Sequence, residues 1–402
     1  MIRRSLVLSV VSITFLLFLT PASLSAHRTL FKPVVDYETG DNVNFSLAVA
    51  DLNGDGKLDV VTIDFDMGTV AVFLGKGNGT FQPPQTYSAG LAPRQVVVAD
   101  VNNDGKPDLI VAELCYDPQF CNGVIKGAVG VLLGNGDGTF QPMQTYPSGF
   151  ATLAVAVGDF NRDGNLDLIV ANECDEPTCS DYHGAFVVLL GDGTGAFREG
   201  QSYSTYAAFQ DSIAVADVNG DGILDVLVAN GYVNVLLGNG DGTFQPAQVY
   251  SSGSQGGAVS IAVADVNGDG KPDLVVADSG EKPVPPGAVS VLLGNGDGTF
   301  QPAQTFYTGG RVPTSVAVAD VNGDGKLDLL VSNSERPKGK RGKGSVGVLL
   351  GNGDGTFQTP TVSNSGGYSP QAIAIADLNG DLLPDVVVVN LGVVGVLLHW
   401  PK

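Results

Sequence analysis

Carboxylate and amide side chains recur at fixed spacing along this chain. Residues 51–59 read Asp-Leu-Asn-Gly-Asp-Gly-Lys-Leu-Asp, and variants of the same nine-residue pattern start at Asp100, Asp159, Asp217, Asp265, Asp320 and Asp377. Oxygen-bearing side chains fill positions 1, 3, 5 and 9 of every copy, and position 6 is Gly in all but the last. Hard oxygens alternating around a glycine turn suit Ca²⁺, which takes about six to eight oxygen ligands. An EF-hand shares this opening but needs an acidic residue at position 12 and flanking helices. Here the twelfth residue is Thr62 in the first copy and Val in the others, and the flanks are rich in Val, Ile and Leu, as strands are.

The expected side-chain ligands are Asp51, Asn53, Asp55 and Asp59; Asp100, Asn102, Asp104 and Asp108; Asp159, Asn161, Asp163 and Asp167; Asp217, Asn219, Asp221 and Asp225; Asp265, Asn267, Asp269 and Asp273; Asp320, Asn322, Asp324 and Asp328; and Asp377, Asn379, Asp381 and Asp385. Position 7 would offer its backbone carbonyl, which leaves its side chain free to vary: Lys57, Lys106, Asn165, Ile223, Lys271, Lys326 and Leu383. A single such loop would read as a turn made of Asp, Asn and Gly. Each of the seven, however, holds three carboxylates within nine residues, and close carboxylates repel by roughly 1–4 kcal/mol per pair. A cation is the expected remedy. The seventh loop is compromised, because Leu382 takes the position-6 Gly and a non-glycine left-handed residue costs roughly 1–2 kcal/mol.

The starts lie 49, 59, 58, 48, 55 and 57 residues apart. A unit copied at a period near 50 marks a propeller or a solenoid. In the fourth copy, apolar runs at 212–216, 224–229 and 233–237 are followed by Gly238-Asn-Gly-Asp-Gly242 and a segment reaching Tyr250. Four β-type runs separated by turn residues predict a four-stranded antiparallel meander, strands A to D. Strands A to C are nearly continuous in hydrophobics, as strands buried on both faces are. Strand D carries Pro246, which suits an outer edge. The phrase Leu-Leu-Gly-Asn-Gly-Asp-Gly-Thr-Phe-Gln-Pro, at Leu132, Leu236 and Leu292 with variants at Phe73, Leu189 and Leu349, reads as the C–D hairpin turn. A phosphate loop would need a helix after it.

These features predict an all-β fold: a seven-bladed β-propeller of four-stranded antiparallel blades over residues 27–402. The seventh copy has runs for strands A to C only. Residues 29–40 align with residues 80–90 at Phe31/Phe81, Pro33/Pro83, Tyr37/Tyr87 and Gly40/Gly90. The N-terminal segment is therefore expected to join the last blade as its outer strand and close the ring.

The formal charge is −21, and the seven loops hold half of the 42 acidic residues. Acidity argues against nucleic acid and anionic membrane as partners. Arg3 and Arg4 precede an apolar run at 6–19 and small residues near Ala26. This reads as a secretory signal peptide over residues 1–26, with retention as a membrane anchor the alternative, and with no second span in the mature chain. Export suits calcium sites with dissociation constants near 10⁻⁴–10⁻³ M. In an oxidising compartment the four cysteines are expected to pair locally, Cys115 with Cys121 and Cys174 with Cys179.

The Asp-x-Asn-x-Asp-Gly-x-x-Asp loops resemble the FG-GAP/VCBS repeats of integrin alpha-subunit-like β-propellers over nearly all of residues 27–402. The resemblance implies that each loop joins strands A and B and binds Ca²⁺ on one face of the disc. It also implies a role in adhesion or in protein or carbohydrate binding rather than catalysis. A–B and C–D turns should share one face, and B–C and D–A loops the other. The B–C loops vary most: 113–127 and 173–184 carry the cysteines, 279–287 is proline-rich, and 334–344 is basic through Arg336, Lys338, Lys340, Arg341 and Lys343. Varied loops on a rigid scaffold are where a site is expected.

The expected role is thus a secreted, monomeric calcium-binding module for an extracellular protein or glycan. An exported matrix protein without a small ligand is the alternative, and a calcium-dependent polysaccharide-active enzyme a more remote one. No catalytic residue is assigned: the three histidines are His27, His183 and His399, and Glu113, Glu173, Asp175 and Glu176 show no pairing pattern. Tyr116, Tyr182 and Tyr232 are the candidate sugar-facing aromatics.

Overall fold

The computed structural model describes residues 30–39, 45–115, 126–175, 184–205, 212–253, 257–279, 287–334 and 343–400. The expected signal peptide, Cys121, Cys179, His27, His183, Tyr116, Tyr182, Glu176 and most of the four long B–C loops lie outside these residues.

Strands are the only regular elements among the described residues. Each repeat contributes an A strand, then the nine-residue loop, then a B strand that begins at the ninth-position Asp. The first is Leu47–Ala50, Asp59–Asp64, Thr69–Phe73 and Gln85–Ser88, paired in that order. The fourth is Ser212–Ala216, Asp225–Ala229, Val233–Leu236 and Gln248–Tyr250; the fifth is Ala258–Ala264, Asp273–Asp278, Ala288–Leu292 and Gln304–Tyr307. The sixth is Pro313–Ala319, Asp328–Asn333, Lys343–Leu349 and Thr361–Tyr368. Every residue of the B strands Asp59–Asp64, Asp273–Asp278 and Asp328–Asn333 is buried, which explains their unbroken apolar runs. Strand D of the fourth repeat starts only after Pro246.

The sheet count differs from the expected seven. Among the described residues there are six sheets, five four-stranded and one seven-stranded. The second and third repeats share one sheet because the fifteen-residue strand Gln144–Gly158 serves as D of one and A of the other. Its Phe150 pairs with both Lys126 and Cys174. Gly149 (φ 122°) and Ala151 (φ 54°) turn the chain there without ending its ladder.

The last repeat supplies Ala372–Ala376, Asp385–Asn390 and Val393–Leu397. The fourth strand of that sheet is Val35–Glu38, antiparallel to Val393–Leu397 with Tyr37 opposite Val394. Apolar clusters fill the space between successive repeats; one joins Leu330 and Val388 of repeats six and seven, and another joins Val387 and Ala374 to Leu47 and Val60 of the first.

The free edges of the A strands are capped by side chains of the preceding repeat. Ser46 Oγ accepts from Val96 N (3.3 Å), Gln95 Oε1 from Val155 N (2.7 Å) and Ser260 Oγ from Val316 N (3.3 Å). The A strands surround a cavity of ≈ 680 Å³ whose polar lining includes Ser46, Gln95, Ser212, Ser260, Thr314 and Gln371.

Candidate metal centres

All seven nine-residue loops adopt one conformation. Position 1 accepts from the position-5 and position-6 N–H groups, Asp51 Oδ1 from Asp55 (3.1 Å) and Oδ2 from Gly56 (2.8 Å), and in the last four loops from the position-4 Gly as well. The position-3 amide oxygen and the position-5 carboxylate each accept from the residue two further on, as Asn53 does from Asp55 and Asp55 from Lys57. The turn requires left-handed backbone at positions 4 and 6. Gly54 and Gly56 supply it in the first loop, while Asn103 (φ 60°) and Arg162 (φ 61°) adopt it at position 4 of the second and third. In the seventh loop Leu382 adopts it at position 6 (φ 65°), and its N–H still reaches Asp377 Oδ2 at 2.8 Å. That residue is 74 % exposed, so no packing offsets the strain.

The ninth position anchors the loop. Asp59, Asp108, Asp167, Asp225, Asp273, Asp328 and Asp385 are all fully buried. One oxygen of each accepts from the second loop residue, as Asp59 Oδ2 does from Leu52 (2.9 Å). The other accepts from a backbone N–H at the end of strand C, as Asp59 Oδ1 does from Gly75 (2.7 Å), two residues past Phe73. Burial pushes Asp328 up to about 7, and Asp108 and Asp273 up to about 6; the two backbone bonds pull the other way, and the position-1 and position-5 carboxylates of the same loop raise each values further.

Among the described residues, no three acidic, histidine or cysteine side chains converge as a ready metal cluster. The hydrogen bonds account for this, since the carboxylates turn towards backbone N–H groups. A carboxylate offers about four lone-pair sites, so the braced oxygens keep acceptor capacity. Oxygen-only donors, mutual repulsion and a backbone-braced turn fit a hard divalent cation. In the first two loops the position-7 lysines lie on the position-5 carboxylates, Lys57 Nζ 3.1 Å from Asp55 and Lys106 Nζ 3.3 Å from Asp104.

The loops meet their neighbours through the C–D turns. In each such turn an Asp or Asn carries the bend, as Asp137 Oδ1 accepts from Thr139 N at 3.0 Å. The next residue sits on the nine-residue loop of the preceding repeat: Gly242 N donates to Phe160 O (2.9 Å) and Gly298 N to Val218 O (3.3 Å). A side chain at Gly138 would meet Leu74 and Asn53 of the preceding repeat, so glycine is required there.

A second set of polar residues gave no motif in the sequence. Five residues after each ninth-position Asp stands a buried Asp64, Glu113, Asn172, Asn230, Asp278, Asn333 or Asn390. Three of these amides tie the strand B end to the D–A connection: Asn172 to Thr152 (2.7 Å) and to Ser148 O (2.7 Å), Asn333 to Thr308 (2.6 Å), and Asn390 to Ser365 (2.7 Å). Their recurrence at a fixed offset was the available signal. Glu113 Oε1, like Asn230 Nδ2, is buried without a hydrogen-bond partner; burial pushes the Glu113 carboxyl up to about 7.

Cys115 and Cys174 are buried at strand B ends, and no free cysteine occurs among the described residues. Their expected partners are outside the described residues. Tyr232 is exposed and His399 is buried beside the sixth nine-residue loop. No helix among the described residues is long and apolar enough to cross a membrane.

Comparison with curated proteins finds no match. The FG-GAP-like repeat family matches residues 51–111, 121–170, 178–228, 217–276, 280–331 and 340–388. Every match takes in at least one of the nine-residue loops, and together they span well over half of the sequence, so the chain belongs to the FG-GAP repeat family.

Proposed function

We propose that this chain is an exported, calcium-binding β-propeller that serves as an adhesion-type module for an extracellular protein or glycan. The observation that carries the reading is the sevenfold repetition of one backbone-braced loop, each with a fully buried ninth-position Asp beside two further carboxylates. Bound calcium would neutralise that charge and hold the A–B turns rigid. Asp51, Asn53, Asp55, Asp59 and the Lys57 carbonyl, with their counterparts in the other loops, are the residues that would hold it.

The six sheets stand around one closed ring by this reading, with repeats two and three joined in a single sheet. The shared strand Gln144–Gly158 bridges those two repeats, and Val35–Glu38 completes the last. The partner would contact the B–C and D–A face, because the opposite face repeats one structure and offers little to distinguish one ligand from another. The cystines at Cys115–Cys121 and Cys174–Cys179 would stiffen two loops on that face and lower the ordering cost of binding.

Arrays of glycans and of extracellular proteins, probed in millimolar Ca²⁺ and in EDTA, test the role. Calcium-dependent binding is expected. It should vanish when loops 113–127 and 173–184 are shortened, while the melting temperature in calcium holds. A folded, calcium-loaded protein that binds nothing on either array contradicts the role, and binding retained by the shortened variant contradicts the face.

A further inference from the structure

At six places after strand C the chain has glycine: Gly75, Gly134, Gly191, Gly238, Gly294 and Gly351. In the last repeat that place is His399. Its backbone repeats the glycine role, since His399 N donates to Asp385 Oδ1 at 2.7 Å, and it bridges Phe31 as Gly75 bridges Phe81. Its side chain does something the glycines cannot. Nε2 lies 2.9 Å from the carbonyl oxygen of Val321, the second residue of the sixth metal loop. Nδ1 lies 2.7 Å from Trp400 O, and the ring packs edge-on against Phe31 at 5.6 Å.

In three of the other loops the equivalent carbonyl is held by a glycine N–H from the next repeat. Gly79 N reaches Leu378 O at 3.0 Å, Gly242 N reaches Phe160 O at 2.9 Å, and Gly298 N reaches Val218 O at 3.3 Å. Repeat seven reads Leu398-His399-Trp400 where the others carry the glycine turn. The second loop residue lies between the first and third ligand positions, and its own N–H is tied to the ninth, Val321 N to Asp328 Oδ2 at 3.0 Å. Holding its carbonyl therefore fixes the peptide that sets Asp320 and Asn322.

We propose that His399 is a positioning residue for the sixth nine-residue loop: its Nε2–H donates to Val321 O and clasps that loop from the neighbouring repeat, as a glycine amide does in three other loops. The metal part rests on the calcium reading above; the clasp itself does not. The variant His399→Phe keeps bulk and the contact with Phe31 but removes the donor, while His399→Gln keeps a donor at similar reach.

Hydrogen exchange is measured in EDTA over 320–328 and, as internal control, over 265–273, followed by calcium titration. His399→Phe should speed exchange over 320–328 about tenfold, leave 265–273 unchanged, and weaken one calcium site about tenfold. His399→Gln should behave like the parent. Unchanged exchange over 320–328 in a folded His399→Phe protein overturns the clasp. If His399→Phe does not fold, His399→Gln decides: parent-like exchange agrees with the donor role, and release of 320–328 overturns it. A parent protein without any calcium response would defeat the calcium reading, and the exchange in EDTA would still decide the clasp.

Discussion

Tyr37 packs edge-on against Phe81, ring centroids 5.1 Å apart and planes at 82°. The same contact recurs between strand D of one repeat and the C–D turn of the next: Tyr87 with Phe140 at 5.4 Å, Tyr146 with Phe197 at 5.6 Å, Tyr250 with Phe300 at 5.5 Å, and Phe306 with Phe357 at 5.3 Å. Tyr37 thus occupies the strand D place of the last repeat although it lies more than 300 residues away from it in sequence.

Weakening that contact should loosen the junction of the last and first repeats. Such aromatic pairs contribute about 0.5–1.5 kcal/mol beyond the area they bury, so Tyr37→Ala should cost about 1–3 kcal/mol in denaturant unfolding. Deleting residues 30–38 should expose Val393–Leu397 as an open edge and give dimers or larger species on size exclusion. A truncated chain that stays monomeric and melts like the parent would contradict the role of this strand.

Leu382 offers a stabilising substitution. It holds φ 65° with its side chain 74 % exposed. Leu382→Gly removes strain without opening a cavity and should stabilise the chain by about 1 kcal/mol, with tighter calcium binding at the seventh loop. Lower stability together with unchanged calcium affinity would count against that account of the loop.

Much of the scaffold was legible in the sequence because its devices are local. The nine-residue loops, the C–D turns and the paired Phe and Tyr positions recur at fixed offsets and follow from turn chemistry and alternation. The merging of repeats two and three was not legible, since it depends on how Gly149 and Ala151 bend a strand that already pairs on both sides. Nor was the layer of Asn172, Asn333 and Asn390, because an Asn ending an apolar strand looks like the start of a turn until its partners across the D–A connection are known. His399 gave no cue, being a single residue in place of a glycine.

Glu113 should make stability depend on pH. Its carboxyl is pushed up to about 7 from an ordinary value of 4.5, chiefly by burial. Arg94, on the strand paired with it, lies over Phe45 and Phe65 instead. Below about pH 4.5 both folded and unfolded chains hold the proton and the residue carries no ionisation penalty. As pH rises to about 7 the unfolded chain releases the proton first, so stability falls, by about 3 kcal/mol in all, and then levels off. Glu113→Gln should match the parent near pH 4 and exceed it by about 2–3 kcal/mol at pH 8, measured by denaturant unfolding at each pH. A difference between the two proteins that stays constant across that range would refute the assignment.

Non-reducing peptide mapping should recover Cys115 with Cys121 and Cys174 with Cys179. Short loops gain little chain entropy from a crosslink, so reduction should lower the melting temperature only slightly. A Cys115–Cys174 crosslink would instead join two neighbouring repeats and contradict the local pairing.

The central claim is that the seven repeated loops bind calcium and that the fold depends on it. At tenfold excess over its dissociation constant, each site adds about 1.4 kcal/mol to the folded state, so six sites add on the order of 8 kcal/mol. For a domain of this size the unfolding entropy is about 0.8 kcal/mol/K, which converts that gain to a rise of about 10 °C. The direct test is thermal unfolding in EDTA and in millimolar Ca²⁺, with bound metal counted by equilibrium dialysis at the same millimolar Ca²⁺. The account predicts a rise near that size and about six or seven calcium ions per chain; an unchanged midpoint with no bound calcium would contradict it.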